Sequence, residues 1–150
     1  MKLSFFVPGI PAPGGSKRFV GFGKKTGRAI LIDDAGERNK NWRSIVGVCG
    51  SAEMRRNALA SFNGPLRVRF DFIMPRRKGD FNSKGDVKPS APFYHTTKPD
   101  VLKLARSTED ALTGIVWNDD AQTAMLEISK RYASKGEPSG VQITVTSIAS

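Results

Sequence analysis

The chain is 150 residues long and strongly basic, with 24 Lys and Arg against 14 Asp and Glu and a net charge of +10. That length suits one domain with a true core, and 39 % hydrophobic with 25 % charged residues describes a globular, soluble chain. One cysteine and one histidine exclude a disulfide framework and a cysteine-rich zinc centre, and no apolar run reaches the length of a membrane span.

The excess of base favours nucleic acid as partner, because neutralised phosphates release their counterions. No basic amphipathic stretch argues for a membrane surface. Met1 to Val7 carries one lysine and a short apolar run before Pro8, which is not the pattern of a signal peptide. A reducing cytoplasm, bacterial or phage-infected, is the expected compartment.

In chain order, Leu3 to Val7 predicts a first strand, stopped by Pro8-Gly9 and the proline-glycine loop from Pro11 to Gly15. Phe19 to Phe22 and Ala29 to Ile32 predict a hairpin around Gly23-Lys24-Lys25-Thr26-Gly27, whose basic tip is a candidate DNA contact. From Asp34 or Ala35 to about Leu59 the pattern turns helical. Trp42, Ile45, Val46 and Cys49 repeat at i, i+3, i+4, i+7, and Asp33 or Asp34 can cap the start. Gly47 and Gly50 argue against one unbroken helix, and Cys49 reads as a buried structural thiol. After the Asn63-Gly64-Pro65 turn, Leu66 to Met74 alternates as a strand, with Val68, Phe70 and Phe72 on one face and Arg67, Arg69 and Asp71 on the other.

Residues 75 to 97 are irregular and basic. Arg76, Arg77, Lys78, Lys84, Lys88 and the adjoining Lys98 mingle with Phe81, Phe93, Tyr94 and His95. Bases interleaved with aromatics suit contact with a nucleic-acid strand, so these residues join Lys24 and Lys25 as the DNA-binding candidates. The last third predicts a helix from Asp100 to Leu112, an extended piece at Ile115 to Trp117, a strand from Gln122 to Arg131, a turn between Ser134 and Gly140, and a final strand from Val141 to Ile148. The whole is one α/β (α+β) domain over residues 1–150: a small mixed sheet with two main helices packed on it.

The acidic residues Asp100, Asp110, Asp119 and Asp120 crowd together in this basic chain. Asp100 follows Pro99 and can cap the helix. Val101, Leu104, Ala105, Thr108 and Leu112 form an apolar stripe, while Asp100, Lys103, Ser107 and Asp110 fall on a neighbouring face with Arg106 at its margin. A chain turning back after Gly114 would bring Asp119 or Asp120 against the start of the helix. Carboxylates so gathered can hold Mg²⁺, which polarises a phosphodiester and activates water, with Lys103 or Arg106 steadying transition-state charge.

Lys98-Pro99-Asp100, Leu104, Asp110-Ala111-Leu112-Thr113-Gly114 and Asp119-Asp120-Ala121-Gln122 resemble, in order and spacing, the signature of RusA-type Holliday-junction resolvases, and Val7-Pro8-Gly9 resembles the family start. The resemblance implies a RusA-like fold and a homodimeric, Mg²⁺-dependent endonuclease (Mn²⁺ serving as well). It implies paired cuts in four-way junctions during DNA recombination and repair, in a phage or prophage setting. It makes Asp100 and Asp120 metal-binding and catalytic, with Arg106 in place of an essential lysine. The chain departs from the pattern at Leu102, where the family has a second metal-binding aspartate, and at Lys103, where it has Asn. Glu109 stands where the pattern is apolar. The missing carboxylate is therefore sought at Glu109, Asp110 or Asp119. The alternative is a branched-DNA-binding protein whose catalysis is weakened or lost through Leu102.

Overall fold

Alternation of apolar and polar residues builds the sheet, and the glycine and proline clusters delimit its strands. The computed structural model describes residues 1–14, 17–33 and 36–149, with backbone alone at 17–20 and 30–33. Its elements are β1 (Lys2–Pro8), β2 (Lys17–Phe22), β3 (Ala29–Asp33), α1 (Gly36–Arg56), β4 (Leu66–Met74), α2 (Val101–Leu112), β5 (Thr123–Tyr132) and β6 (Gly140–Ser147). The proposed caps of α1 at Asp33 and Asp34 fall outside the described side chains.

The main sheet has the order β1-β6-β4-β5. Strand β6 lies antiparallel to both β1 and β4, while β4 and β5 run parallel. Parallel neighbours need a long crossover, and the stretch carrying α2 provides it. Strands β2 and β3 form a separate antiparallel hairpin. The expected α+β architecture, a mixed sheet with two helices on one face, is what the chain adopts.

The core lies between that face and the helices. Leu3, Phe5 and Val7 of β1, Val68, Phe70 and Phe72 of β4, and Val141, Ile143 and Val145 of β6 are buried against Trp42 and Val46 of α1 and Leu104 and Leu112 of α2. The opposite face carries Arg67, Arg69 and Asp71, as the alternation requires. No helix among the described residues is long and apolar enough to cross a membrane.

Three local expectations are corrected. Helix α1 is continuous through Gly47 and Gly50 because these glycines are where the second helix approaches. A Cβ at Gly50 would lie 2.8 Å from Leu112 Cδ2. Cys49 is half-buried rather than buried, and burial, then the charge of Glu53, pushes its thiol pKa up. Gly114 to Val116 form a turn, and Trp117 makes only isolated bridges, to Phe62 and Thr113, in place of the expected extended piece. Ile115 and Val116 both donate their N–H to Leu112 O, and Gly114 N donates to Trp117 O at 2.7 Å, which closes the turn, while Val116 O accepts from Phe62 N at 2.8 Å. Gly114, at φ 87°, permits that reversal.

Gly140 opens β6 at φ 154°, and a Cβ there would lie 2.0 Å from the carbonyl oxygen of Val7. Gly140→Ala must therefore pry β1 from β6. A loss of at least about 2 kcal/mol of unfolding free energy is expected in urea titration. An unchanged midpoint would contradict the close pairing.

Candidate active site

Helix α2 is held by hydrogen bonds from three directions. Asp100, the N-cap, accepts from Lys103 N at 2.8 Å. Asn39 of α1 donates to Ser107 Oγ at 2.7 Å and to Pro13 O at 2.9 Å. Trp42 Nε1 donates to Thr108 Oγ1 at 3.1 Å, and that hydroxyl donates to Leu104 O. Gly14 N donates to Lys103 O at 3.0 Å, so the proline-glycine loop also clasps the helix. Ser107 is thus corrected from the charged face to the core. With the helix so rotated, Leu102, Arg106 and Glu109, spaced i, i+4 and i+7, share the side of α2 that borders an open groove.

The approach to β5 supplies the facing carboxylate. Asp119 Oδ1 accepts from Ala121 N at 2.8 Å, and Gln122 Oε1 accepts from the backbone N–H of Asn118 and Asp119. The Gln122 amide in turn donates to the carbonyls of Phe62 and Gly64. Asp119 and Gln122 therefore build a short 3-10 turn. Asp120, the residue between them that begins it, is exposed and lines the groove. Asp119, a metal candidate from the sequence, is committed to capping.

The groove, about 290 Å³, is lined by Leu102, Arg106, Glu109, Asp110 and Asp120, with Ala105 and Leu126 as its apolar walls. Glu109 is half-buried. Desolvation, and next the charge of Asp120, raises its pKa; Asp110 adds to this and the Thr123 hydroxyl opposes it. That hydroxyl is itself buried and completes no hydrogen bond of full geometry. Leu102 is 69 % exposed in the groove wall, so the residue that replaces the expected aspartate meets solvent.

Asp100 and Asp120 have different charged neighbours. Asp100 is the nearby acid for Lys130, whose Nζ donates to Thr97 O at 2.8 Å and Pro99 O at 2.7 Å. Asp120 acts on Glu109, beside Thr123. Thr123 and Lys130 lie seven residues apart on β5, roughly 23 Å of strand, and Glu109 lies about 13 Å along the helix from Asp100. Asp100 caps the start of α2, while Asp120 lines the groove that runs along it. Lys103 is exposed and lies outside the groove. Lys130 was missed in the sequence because its place in an alternating strand carries no signal. Burial lowers its pKa, and Asp100 pulls it back up.

No three His, Cys, Asp or Glu side chains among the described residues are grouped so as to enclose a metal ion. Two carboxylates, Glu109 and Asp120, nevertheless converge in an open groove. Mg²⁺ typically takes one or two carboxylates and retains waters, so this donor set fits it. After desolvation, the repulsion from Asp120 is the next cause of the raised Glu109 pKa, and a cation would relieve it.

Among the basic candidates, Arg76 is corrected. Its side chain is only 8 % exposed, donates to Ala133 O at 2.9 Å and Pro92 O at 2.7 Å, pairs with Asp80 and lies over the Tyr132 ring. It holds the loop together. Arg77 is exposed but leans on the same ring and on Asp80. Lys78, Lys84, Lys88, Lys98, Lys24 and Lys25 are exposed. Phe93 and Tyr94 are exposed and packed edge to face at 4.9 Å.

The chain matches the family model described as Endodeoxyribonuclease RusA over residues 8–146. It is 26 % identical over 135 residues, covering 89 % of each chain, to a Bacillus subtilis (strain 168) protein called uncharacterized protein YqaN.

Because the folded pKa of Glu109 is raised above its ordinary 4.5, the native state holds a proton that the unfolded chain has released. Stability therefore falls as pH rises through that window, and the cost persists above it. Glu109→Gln removes the cost. Melts near pH 7 are expected to show the variant at least as stable as wild type, with the advantage vanishing toward about pH 4. A variant less stable at neutral pH would show that Glu109 is a structural acid.

Proposed function

This chain belongs to the RusA endodeoxyribonuclease family, and from that premise we propose that it is a Mg²⁺-dependent, structure-selective nuclease that resolves four-way DNA junctions. The observation that carries the proposal is the convergence of Glu109 and Asp120 in one groove bordered by Arg106.

In this reading Glu109 and Asp120 hold the cation, with Mn²⁺ also accepted, and Asp110 stands at the edge of the set. When bound, the ion supplies polarisation of the phosphodiester and a more acidic water. Arg106 places a permanent charge beside the oxygens that gain negative charge in the transition state. Its fixed fork is suited to phosphate, and unlike lysine it cannot act as an acid near neutral pH. Asp100 and Lys130 keep the entry of α2 in place. Lys78, Lys84, Lys88 and Lys98, with Lys24 and Lys25 on the hairpin, neutralise phosphates along the junction arms. A two-fold homodimer would present two grooves to the two strands that must be cut together. The setting is repair or recombination of branched DNA in a bacterial or phage-infected cell.

Leu102 favours a second reading. An exposed leucine in the groove, where the family motif carries an aspartate, leaves two converging carboxylates and suits a junction-binding protein of feeble catalysis. One assay separates the readings: a synthetic four-way junction, with and without Mg²⁺. The nuclease reading expects symmetric nicking that requires the metal. Asp120→Asn and Glu109→Gln should each lower nicking at least about a hundredfold while leaving metal-free binding intact. Undiminished nicking by Glu109→Gln would sink the relocated carboxylate. Binding without any nicking would establish the second reading.

A further inference from the structure

A second cavity, about 600 Å³, opens beside the start of α2 and shares no lining residue with the groove. Such a volume falls in the range of small-ligand sites, roughly 300–1,000 Å³. Trp42, Pro11, Ala12 and Met74 contribute flat or compact apolar surface, and Trp42, Ala12 and Met74 are buried. His95 also lines it, is only 8 % exposed, and has a buried Nδ1 with no hydrogen-bond partner among the described residues. The exposed Arg38, Asn41 and Lys98 stand at the rim.

We propose that this cavity receives one unpaired nucleobase of the DNA substrate, with His95 reading its polar edge and Lys98 and Arg38 holding the flanking phosphates. The proposal rests on the DNA-nuclease reading and deepens it. Three features select this ligand. A base has apolar faces and a polar edge, which matches apolar walls beside the edge of one imidazole; an aliphatic guest would leave the accessible part of that ring without a polar partner. The basic rim favours a guest that arrives on a polyanion. Lys98 and Pro99, which border the cavity, lead directly into the cap of α2, so a strand passing from cavity to groove follows the helix.

Burial, and then the charge of Lys130, lower the His95 pKa; a hydrogen bond to its own backbone opposes them and Arg77 adds to them. The lowered pKa favours the neutral ring, and with Nδ1 enclosed, Nε2 is the nitrogen left to meet a base edge. Extrusion of a base is least costly where its pairing is already disturbed. The cavity reaches Lys98 and Pro99 and the groove begins at Leu102, so the base read would lie close to the bond cut.

The chain has one histidine, so its ring resonances are unambiguous. The test titrates the full chain, without metal, with a four-way junction and with a second junction whose nucleotides flanking the branch are abasic. Anisotropy follows binding, and NMR follows the His95 ring. Both junctions should bind within about threefold of each other, since phosphate contacts dominate affinity. The His95 signals should shift with the intact junction and stay near their free positions with the abasic one. His95→Phe, which preserves the ring against Tyr132, should lose roughly tenfold of the preference among cleavage positions in Mg²⁺. Equal shifts with both junctions, or no shift despite measured binding, would overturn the base pocket and leave the nuclease reading standing. Failure of wild type to bind either junction would overturn both.

Discussion

The rotation of α2 about its own axis is the constraint on which the candidate site depends. Two buried side-chain hydrogen bonds from α1 set it: Asn39 to Ser107 and Trp42 to Thr108. Both are embedded in apolar surroundings, where an unmade bond would cost the full desolvation of its donor. One residue of slippage would turn the helix by about 100° and carry Arg106 and Glu109 away from Asp120. A helix held only by its leucines would tolerate such slippage more readily, because apolar packing is non-directional. The polar pair thus converts a generic helix-on-sheet contact into a definite presentation of the groove.

The groove itself is an electrostatic exception within its chain. A protein of net charge +10 attracts DNA broadly, yet here Glu109, Asp110 and Asp120 line one groove, with Arg106 the one cation among the described residues of its lining. Burial first, and then the charge of Asp120, raise the Glu109 pKa, a cost to the native state. Strain of this kind is tolerated where function requires charges that folding alone would disperse. By contrast, the pairing of Arg131 with Glu137, which holds the Glu137 pKa down at about 2, secures the turn before β6.

Much of this architecture was legible in the residues. Leu66 to Met74 could be read to the residue, since period-two alternation is strongest where one face is buried. The α2 helix and its cap followed from proline, aspartate and an apolar stripe. Arg76 was not legible, because a basic residue in a basic loop gives no hint that a carbonyl pair and an aromatic ring await it. The pairing of acids was only half legible. Asp120 and Glu109 were both candidates, but that Asp120 acts on Glu109 could not be read, since spacing along the chain says nothing of which turn of a helix a returning strand will reach. Leu102 and Glu109, seven residues apart on one helix side, were the clue that survived.

The sheet order has a consequence for how the molecule is made. Strand β6 sits between β1 and β4, yet it is the final strand in the chain. While the ribosome is still producing it, β1 and β4 have no common neighbour, and the apolar faces of Phe5 and Phe70 cannot be sealed into one core. Without β6 the sheet is divided into two pieces. One is the β4–α2–β5 crossover that carries the carboxylate groove, and the other is the early segment of β1 and α1. Completion waits for a zipper of eight residues to insert between them.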